Sequence, residues 1–533
     1  MLLLALLLLS VPFTSCLNVL IWSPTVGQSH VRFLGNMADI LADDGHNVTI
    51  VSPVLDLDVR PHTHNPAVLH LPYHSKYMRT NEDDDFSKLS IKGTSLWDAE
   101  TVEGRSCTTQ DMALFVELLK NIYRGILEDD EFLGRLRDSR FDVALHELYE
   151  PFSVAIFELI GVTRTVALSA FGVSLYVPEI TGVPANPSFV PGAFSTYSDS
   201  MTFWERLNNF IYEFELDIRY RIWERELWLR FNEVYPGFPT FRELLKRQVG
   251  VVLLNINEYT ETPRPTANIV RYIGGIAIHP PKPLSQVDKR LDAILNERST
   301  NVFLSFGTIS QSKDLPIILK KDIISAFSAF PNTTFIWKYE DENDIHLFKN
   351  HTNIHTMKWI PQSDLLGDKR LSAFITHAGM NSVLEATFSG KPMVVVPLFG
   401  DQYLNAKNME RRGTAVMIDK RDLNKDTLTA AIRDVLSPNA TYAHKAATVA
   451  RSLVGRVAAA RADLLYWVKL VAEEGQMDHL MMRARDLSFI QYHCLDIIAY
   501  LLAQFIVTLI FVFFVVRLLI RRVSIVFKKR KTE

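Results

Sequence analysis

Cysteine is scarce, three in 533 residues, and that scarcity excludes a disulfide-dense scaffold. Net charge is scarce as well. The 57 Lys and Arg against 60 Asp and Glu leave a formal charge of −3, too little for a polybasic nucleic-acid binder. No internal repeat and no low-complexity tract is present. With 48% hydrophobic and 22% charged residues, the chain is neither disordered nor collagen-like. Its length suits roughly three domain-sized units or one large two-domain protein. The charge that is present is unevenly placed. Residues 517–533 carry seven basic residues and one acidic one, a net +6, so −3 minus +6 leaves −9 for residues 1–516. An acidic body thus ends in a basic tail.

Only two long apolar runs interrupt this composition. Leu2 to Leu9 is uncharged, Pro12 breaks the run, and Thr14-Ser15-Cys16 offers small residues for cleavage. The pattern predicts a secretory signal peptide over residues 1–16, since so short a run cannot cross ~30 Å of hydrocarbon. Ile497 to Val516 is a 20-residue uncharged stretch that spans ~30 Å as a helix. The basic cluster after it (Arg517, Arg521, Arg522, Lys528 to Lys531) assigns the 517–533 tail to the cytoplasm by the positive-inside rule. The prediction is a single-pass type I protein whose large part is luminal or extracellular. Lys529 and Lys531 resemble a di-lysine retrieval signal, which implies the endoplasmic reticulum; the plainer reading is a set of stop-transfer charges. Cleavage would leave Cys107 and Cys494, and no pairing is expected because Cys494 adjoins the membrane. Of the sequons at Asn47, Asn332, Asn350 and Asn439, Asn350 and Asn439 sit in polar, turn-like context, whereas Asn47 starts a buried strand.

Between the two ends, strand and helix signals alternate. Asn18–Ser23 reads as an apolar strand, a helix is expected from His30 to Asp44 with Gly45 as its stop, and Asn47–Ser52 reads as a second strand. Val143–Leu145 and Thr165–Leu168 continue the series. Residues 56–106 read as a loop-rich insertion. His279–Gln286, with three prolines in eight residues, reads as an ordered, non-helical linker. A second series follows at Val302–Phe306, Thr334–Trp337, Ala373–Thr376 and Met393–Val396. Apolar strands alternating with helices predict parallel sheets buried on both faces. The fold class expected is α/β, with two doubly wound, Rossmann-like domains (17–278 and 287–496) facing a cleft. Ligands belong at the carboxyl ends of such strands.

The densest chemistry lies between Trp359 and Asn405. Phe374–Thr376 ends a strand, His377-Ala378-Gly379 turns, and Asn381 or Ser382 opens a helix that Gly390 closes. A helix N-terminus behind a glycine turn presents free N–H groups to a phosphate, and a histidine at that mouth can donate to a phosphate oxygen. Trp359 offers an aromatic face for a base. Glu385 can accept from ribose hydroxyls, and Asp401 and Gln402 from further hydroxyls. Plainer roles exist for each: Ser382-x-x-Glu385 is also a capping box, Trp359 could be core, and Asp401 could cap a helix. Their co-occurrence within 47 residues favours a nucleotide-sugar site.

The block resembles the signature of the UDP-glycosyltransferase family, W-x-P-Q, T-H-x-G, E-A, G-x-P and D-Q-x-x-N in that order. The likeness extends to His30, Met201-Thr202-Phe203, Pro263-Arg264-Pro265, Gly274-Gly275, Ser305-Phe306-Gly307, the apolar span and the basic tail. It implies a GT-B fold, with acceptor bound by the N-terminal domain and UDP-sugar by the C-terminal one. It implies that Trp359 stacks on uracil, that the Ile360 backbone and Gln362 contact base and ribose, and that Glu385 holds the ribose. His377, Gly379, Asn381 and Ser382 would surround the diphosphate, Gly307 and Thr308 would flank it, and Asp401 and Gln402 would hold the sugar. Lys369 departs from the family, where proline is usual.

The resemblance further implies single-displacement transfer with inversion and a histidine base, matched by His30. The positive end of the helix dipole is expected to keep that base neutral. In the family an aspartate orients the histidine; here Glu147 stands at its position. The alternatives are Glu150, a histidine working alone, or a chain of reduced activity. No cofactor and no metal are expected. Asp56-Leu57-Asp58 and Asp83-Asp84-Asp85 lie in the polar insertion, and the helix terminus with His377 would supply positive charge to departing UDP. His62, His64, His70 and His74 are separated by prolines and set aside as a zinc site. Phe203 to Phe231, with Trp204, Trp223 and Trp228, reads as an amphipathic helix that packs or touches a membrane. The partners expected are a UDP-sugar, a small lipophilic acceptor and the bilayer, with homo- or hetero-oligomers open and no nucleic acid. The donor sugar leans to glucose over glucuronate, because Gly400–Asn405 holds no Lys or Arg. A non-catalytic UDP-sugar-binding regulator and a membrane receptor or carrier remain as alternatives.

Overall fold

A computed structural model describes residues 16–56, 59–60, 62–78, 97, 105–106, 109–341 and 343–530. The expected signal peptide up to Ser15, Asp58, the run at 83–85, Cys107 and the last three residues lie outside them. Seven parallel strands form the first sheet: β1 (Asn18–Trp22), β2 (Asn47–Pro53), β3 (Leu69–Tyr73), β4 (Val143–Glu147), β5 (Thr165–Ser169), β6 (Val249–Leu254) and β7 (Val270–Tyr272). Six form the second: β8 (Thr300–Ser305), β9 (Thr333–Lys338), β10 (Ile354–Met357), β11 (Leu371–Thr376), β12 (Met393–Val395) and β13 (Ala415–Met417). The helices that frame the site and the anchor are α1 (Gln28–Asp43), α2 (Phe203–Val234), α3 (Met380–Phe388), α4 (Gln402–Arg412), α5 (Arg456–Glu474) and α6 (Leu495–Arg530).

The strand orders are β3-β2-β1-β4-β5-β6-β7 and β10-β9-β8-β11-β12-β13. Each reverses once, between β1 and β4 and between β8 and β11. At such a reversal the connections leave to opposite sides and a crevice opens at the carboxyl ends of the two strands. The central strands β4, β5 and β6 are buried throughout, as helices on both faces require.

Several features differ from the sequence expectation. Strand β3 lies inside the segment read as a loop-rich insertion. It is an edge strand on β2, where Pro72 is tolerated because no outer neighbour needs its N–H. The linker is not wholly irregular, since Leu284–Val287 winds into one helical turn directly after its last proline. The stretch expected to belong with the second domain also returns to the first. Helix α5 lays Ala460, Leu464, Trp467, Val468 and Val471 into the core formed by Val19, Ile21, Phe33 and Leu145. These residues fall on one helical stripe, and burying each large one contributes roughly 1.5–3 kcal/mol.

Helix α2 has the capping box Thr202–Glu205 and buries Tyr212, Leu216, Tyr220, Leu227 and Phe231 on one side. Phe203, Trp204, Phe210 and Phe214 remain exposed on the other. In α6, residues Leu495–Ile525 are long and apolar enough to cross a membrane, with no part buried in the protein.

Candidate active site

His30 stands at the third position of α1, behind the extended N-cap residue Gly27, in the connection that leaves β1. Glu147 is the last residue of β4. They therefore meet at the reversal of the first sheet. His30 Nδ1 lies 2.8 Å from Glu147 Oε1 and 2.9 Å from Oε2. A carboxylate only accepts, so the proton sits on Nδ1 and Nε2 carries the lone pair. Glu147 Oε1 also accepts the Ala170 N–H at 2.8 Å, which fixes the carboxylate against β5.

Glu150 is turned elsewhere, towards the Tyr123 hydroxyl and the Phe152 N–H, and burial pushes its carboxyl up to about 8. Asp142 lies at the far end of β4 and accepts the Asn18 N–H at 2.7 Å.

The electrostatics of His30 differ from the expected dipole effect. Burial lowers its pKa, but the charge and hydrogen bond of Glu147 and the charge of Asp401 raise it, and the balance lies above the ordinary 6.5. Two carboxylates outweigh the effect of burial. The rings of Tyr149 and Phe171 flank the imidazole at 4.8 and 6.1 Å.

Across the cleft, the second reversal gathers His377 after β11 and Gly307 after β8. Gly379 is the N-cap of α3 and no side chain caps that helix, so the Ser382–Glu385 capping box does not form and the first N–H groups stay available. The His377 ring fills a slot between two glycines. A Cβ on Gly379 would lie 2.6 Å from its Nε2 and one on Gly307 2.8 Å from it. Gly307 also has φ +91°, which favours glycine.

Burial first, then Lys338, brings His377 down to about 4. It is a neutral donor and not the source of positive charge expected from sequence. The cation here is Lys338, whose Nζ donates to the Gly307 carbonyl at 2.6 Å. Sequence reading passed over it; its signal is a lysine closing β9 beside the reversal.

The other residues of the motif are distributed as follows. Trp359 is 67% exposed and so not core, whereas the Ile360 side chain is buried. Gln362 Nε2 donates to Glu385 Oε2 at 2.7 Å and to Ser382 Oγ at 3.3 Å, and burial raises the Glu385 pKa. Thr308 is exposed. Asp401 precedes α4 without capping it; burial raises its pKa, opposed by a hydrogen bond from Asn405 and by the charge of His30. The Gln402 amide oxygen receives the N–H groups of Leu398 and Phe399, bracing the loop that carries Asp401.

Asn381 has a partner in the first domain. Its Oδ1 accepts from Asn255 Nδ2 at 3.0 Å, and Asn255 also donates to the Ala170 carbonyl. The dyad and the helix α3 terminus are thereby tied across the cleft through Ala170 and Asn255. Neither residue carries a sequence signal of that role. Among the described residues no three His, Cys, Asp or Glu side chains gather as metal ligands.

The arrangement can hold an anion at α3 and remove a proton at His30 within one cleft. The family model described as UDP-glucoronosyl and UDP-glucosyl transferase matches residues 18–531. Human UDP-glucuronosyltransferase 2B7 is 28% identical over 499 residues, 93% of this chain and 92% of that protein. UDP-glucuronosyltransferase 2B30 of Macaca fascicularis is 28% identical over 501 residues, 93% of this chain and 92% of that protein. Among solved structures, the glycotransferase of kitacinnamycin aligns with a TM-score of 0.57 at 17% identity, over 85% of this chain and 99% of that one. Phytolacca americana UGT2, complexed with UDP-2fluoro-glucose and pterostilbene, aligns with a TM-score of 0.55 at 13% identity, over 86% and 100%. The two-sheet architecture is the GT-B fold.

Proposed function

The chain belongs to the UDP-glucuronosyl and UDP-glucosyl transferase family and is an enzyme that moves a sugar from a UDP-sugar to an acceptor; from that premise we propose an inverting transfer to the hydroxyl of a small lipophilic acceptor, with His30 as base. The observation that carries this reading is the bidentate contact of His30 Nδ1 with Glu147 at 2.8 and 2.9 Å. His30 Nε2 takes the acceptor proton while the acceptor oxygen attacks the anomeric carbon. The bond to UDP breaks, and its electron pair goes to the terminal phosphate oxygen. Glu147 stabilises the imidazolium that forms.

The N–H groups of α3, His377 as a neutral donor, and Lys338 receive the growing charge on UDP. Gly307, Thr308, Gly379 and Ser382 line the diphosphate, with Asn381 alongside, and Asp401 and Gln402 hold sugar hydroxyls. Gln362, the Ile360 backbone and Glu385 hold base and ribose. Helix α6 anchors the protein as a single-pass type I chain of the endoplasmic reticulum membrane with the site luminal. All four sequon asparagines, Asn47 included, are exposed and so open to glycosylation there.

Incubating the purified chain with UDP-glucose or UDP-glucuronate and a panel of phenols tests the proposal. Expected are acceptor-dependent UDP release and a β-linked product from the α-linked donor. UDP binding without turnover would instead identify a regulatory partner, and a chain that does not bind UDP is neither. Trp359→Ala should weaken UDP binding about 5- to 150-fold, the equivalent of ~1–3 kcal/mol for loss of base stacking. Calorimetric titration of UDP checks it, and the exposure of Trp359 means that the fold should be unaffected.

A further inference from the structure

The cleft beside His30 continues into the first domain between β4 and α2. Its cavity measures about 70 Å³, and its wall is largely apolar, with Val173, Leu175, Val190, Phe194 and Leu216 among the lining residues. Tyr149 and Phe171 line it too, and their rings also pack against His30 at centroid separations of 4.8 and 6.1 Å, so a single layer of side chains separates the cleft from the base.

Three polar atoms break this apolar wall. Tyr149 Oη, Glu213 Oε1 and Arg264 Nε are buried without a hydrogen-bond partner among the described residues. Tyr149 adjoins the base and suits the reacting hydroxyl. Glu213 comes from α2 and packs over Gly192, where a Cβ would lie 1.8 Å from its Oε1. Glycine at 192 thus makes room for the carboxylate. Arg264 is held by Glu261 through Nη2 at 2.9 Å, which leaves Nε–H uncommitted. Burial pushes the Glu213 carboxyl up to about 7 against the pull of Arg264.

Orphaned buried polar groups are costly and rare. When they line a ligand cleft, the ligand is the natural partner. An apolar ligand would leave both atoms unsatisfied. An ammonium would suit Glu213 but would face the permanently charged guanidinium of Arg264. A neutral group that both donates and accepts suits the pair. We propose that the acceptor carries, besides the hydroxyl that reacts at His30, a second neutral hydroxyl held by Glu213 and Arg264. Glu213 and Arg264 thereby determine acceptor specificity. The inference rests on the assignment of His30 to the acceptor site, so its test reads binding and not turnover.

Three probes of one shape are titrated calorimetrically into the UDP-loaded chain: para-phenylphenol, para,para′-biphenol and the biphenylol bearing an aminomethyl group. The wild type should bind the biphenol at least about 10-fold more tightly than para-phenylphenol, because a site built to hydrogen-bond a hydroxyl rejects the analogue without it. Glu213→Leu should abolish that preference, and Glu213→Gln should keep most of it. Equal affinities in the wild type, tightest binding of the amine, persistence of the preference in Glu213→Leu, or no binding of any probe would each overturn the proposal. Should Glu213→Leu fail to fold, the wild-type ranking and Glu213→Gln still decide it. Biphenol that binds with this preference yet is not glycosylated would count against the His30 assignment and not against the second-hydroxyl site.

Discussion

His30→Ala is expected to lower acceptor-dependent UDP release ~10²- to 10⁴-fold, the usual contribution of a general base, with UDP affinity little changed. The loss should be deep because the neighbouring groups are poor substitutes. Burial holds the Tyr149 hydroxyl well above its ordinary range, so it does not ionise near neutrality. Asp401 is raised by burial, and its Oδ2 is already engaged by Asn405 Nδ2 at 2.7 Å. His30→Gln, which can still hydrogen-bond, should be as inactive as the alanine variant. Initial rates at saturating donor, with calorimetric UDP binding as control, separate loss of the base from loss of the fold.

Glu147→Gln should cost on the order of 10²- to 10⁴-fold, as expected for a histidine held in the wrong tautomer. The reason lies in Ala170. Its N–H points at Oε1 from 2.8 Å and requires an acceptor there. The amide oxygen of glutamine would take that place, and its NH2 would take the place of Oε2, 2.9 Å from His30 Nδ1. Nδ1–H can still donate to the amide oxygen at the Oε1 position, 2.8 Å away, but the adjacent NH2 disfavours that tautomer and the neutral amide no longer stabilises the imidazolium. Glu147→Ala lacks this opposing donor and should retain more activity than Glu147→Gln. The expected order, wild type above alanine above glutamine, is measured as kcat/KM for one phenol.

Much of this site was legible from residue pattern alone, because a parallel sheet ties function to strand ends. His30 follows an apolar strand, His377 follows another, and both strands flank a reversal of order. Five strands were missed in the sequence, among them β6, a continuous apolar run that follows a helix without an intervening turn signal. Strands β7, β10 and β13 have only three or four residues, and β3 carries a proline. The return of α5 to the first sheet was hidden because its apolar stripe declares a buried face without naming the partner. The charge states of the two histidines were misjudged for a related reason. A helix terminus is visible in sequence, whereas the burial of His377, the approach of Lys338 and the convergence of Glu147 and Asp401 on His30 exist only in three dimensions. Glu213 was passed over in the same way, since an exposed-looking charge on an amphipathic helix gives no sign that it faces a cleft, and Arg264 entered only within the Pro263-Arg264-Pro265 likeness, with no role attached.

The central claim is that His30, held by Glu147, is the base, and the pH dependence of kcat/KM in wild type and Glu147→Gln tests it most directly. The base must be neutral to act, so activity falls as pH drops through the His30 pKa. Burial lowers that pKa, but Glu147 and Asp401 raise it, and in the wild type it lies above 6.5. The acid limb of the wild type is therefore expected above pH 6.5. Removing the Glu147 charge and its hydrogen bond leaves burial opposed by Asp401 alone, so the residual activity of Glu147→Gln should show an acid limb displaced to lower pH. An acid limb at the same pH in both proteins, with rates near wild type, would contradict the dyad.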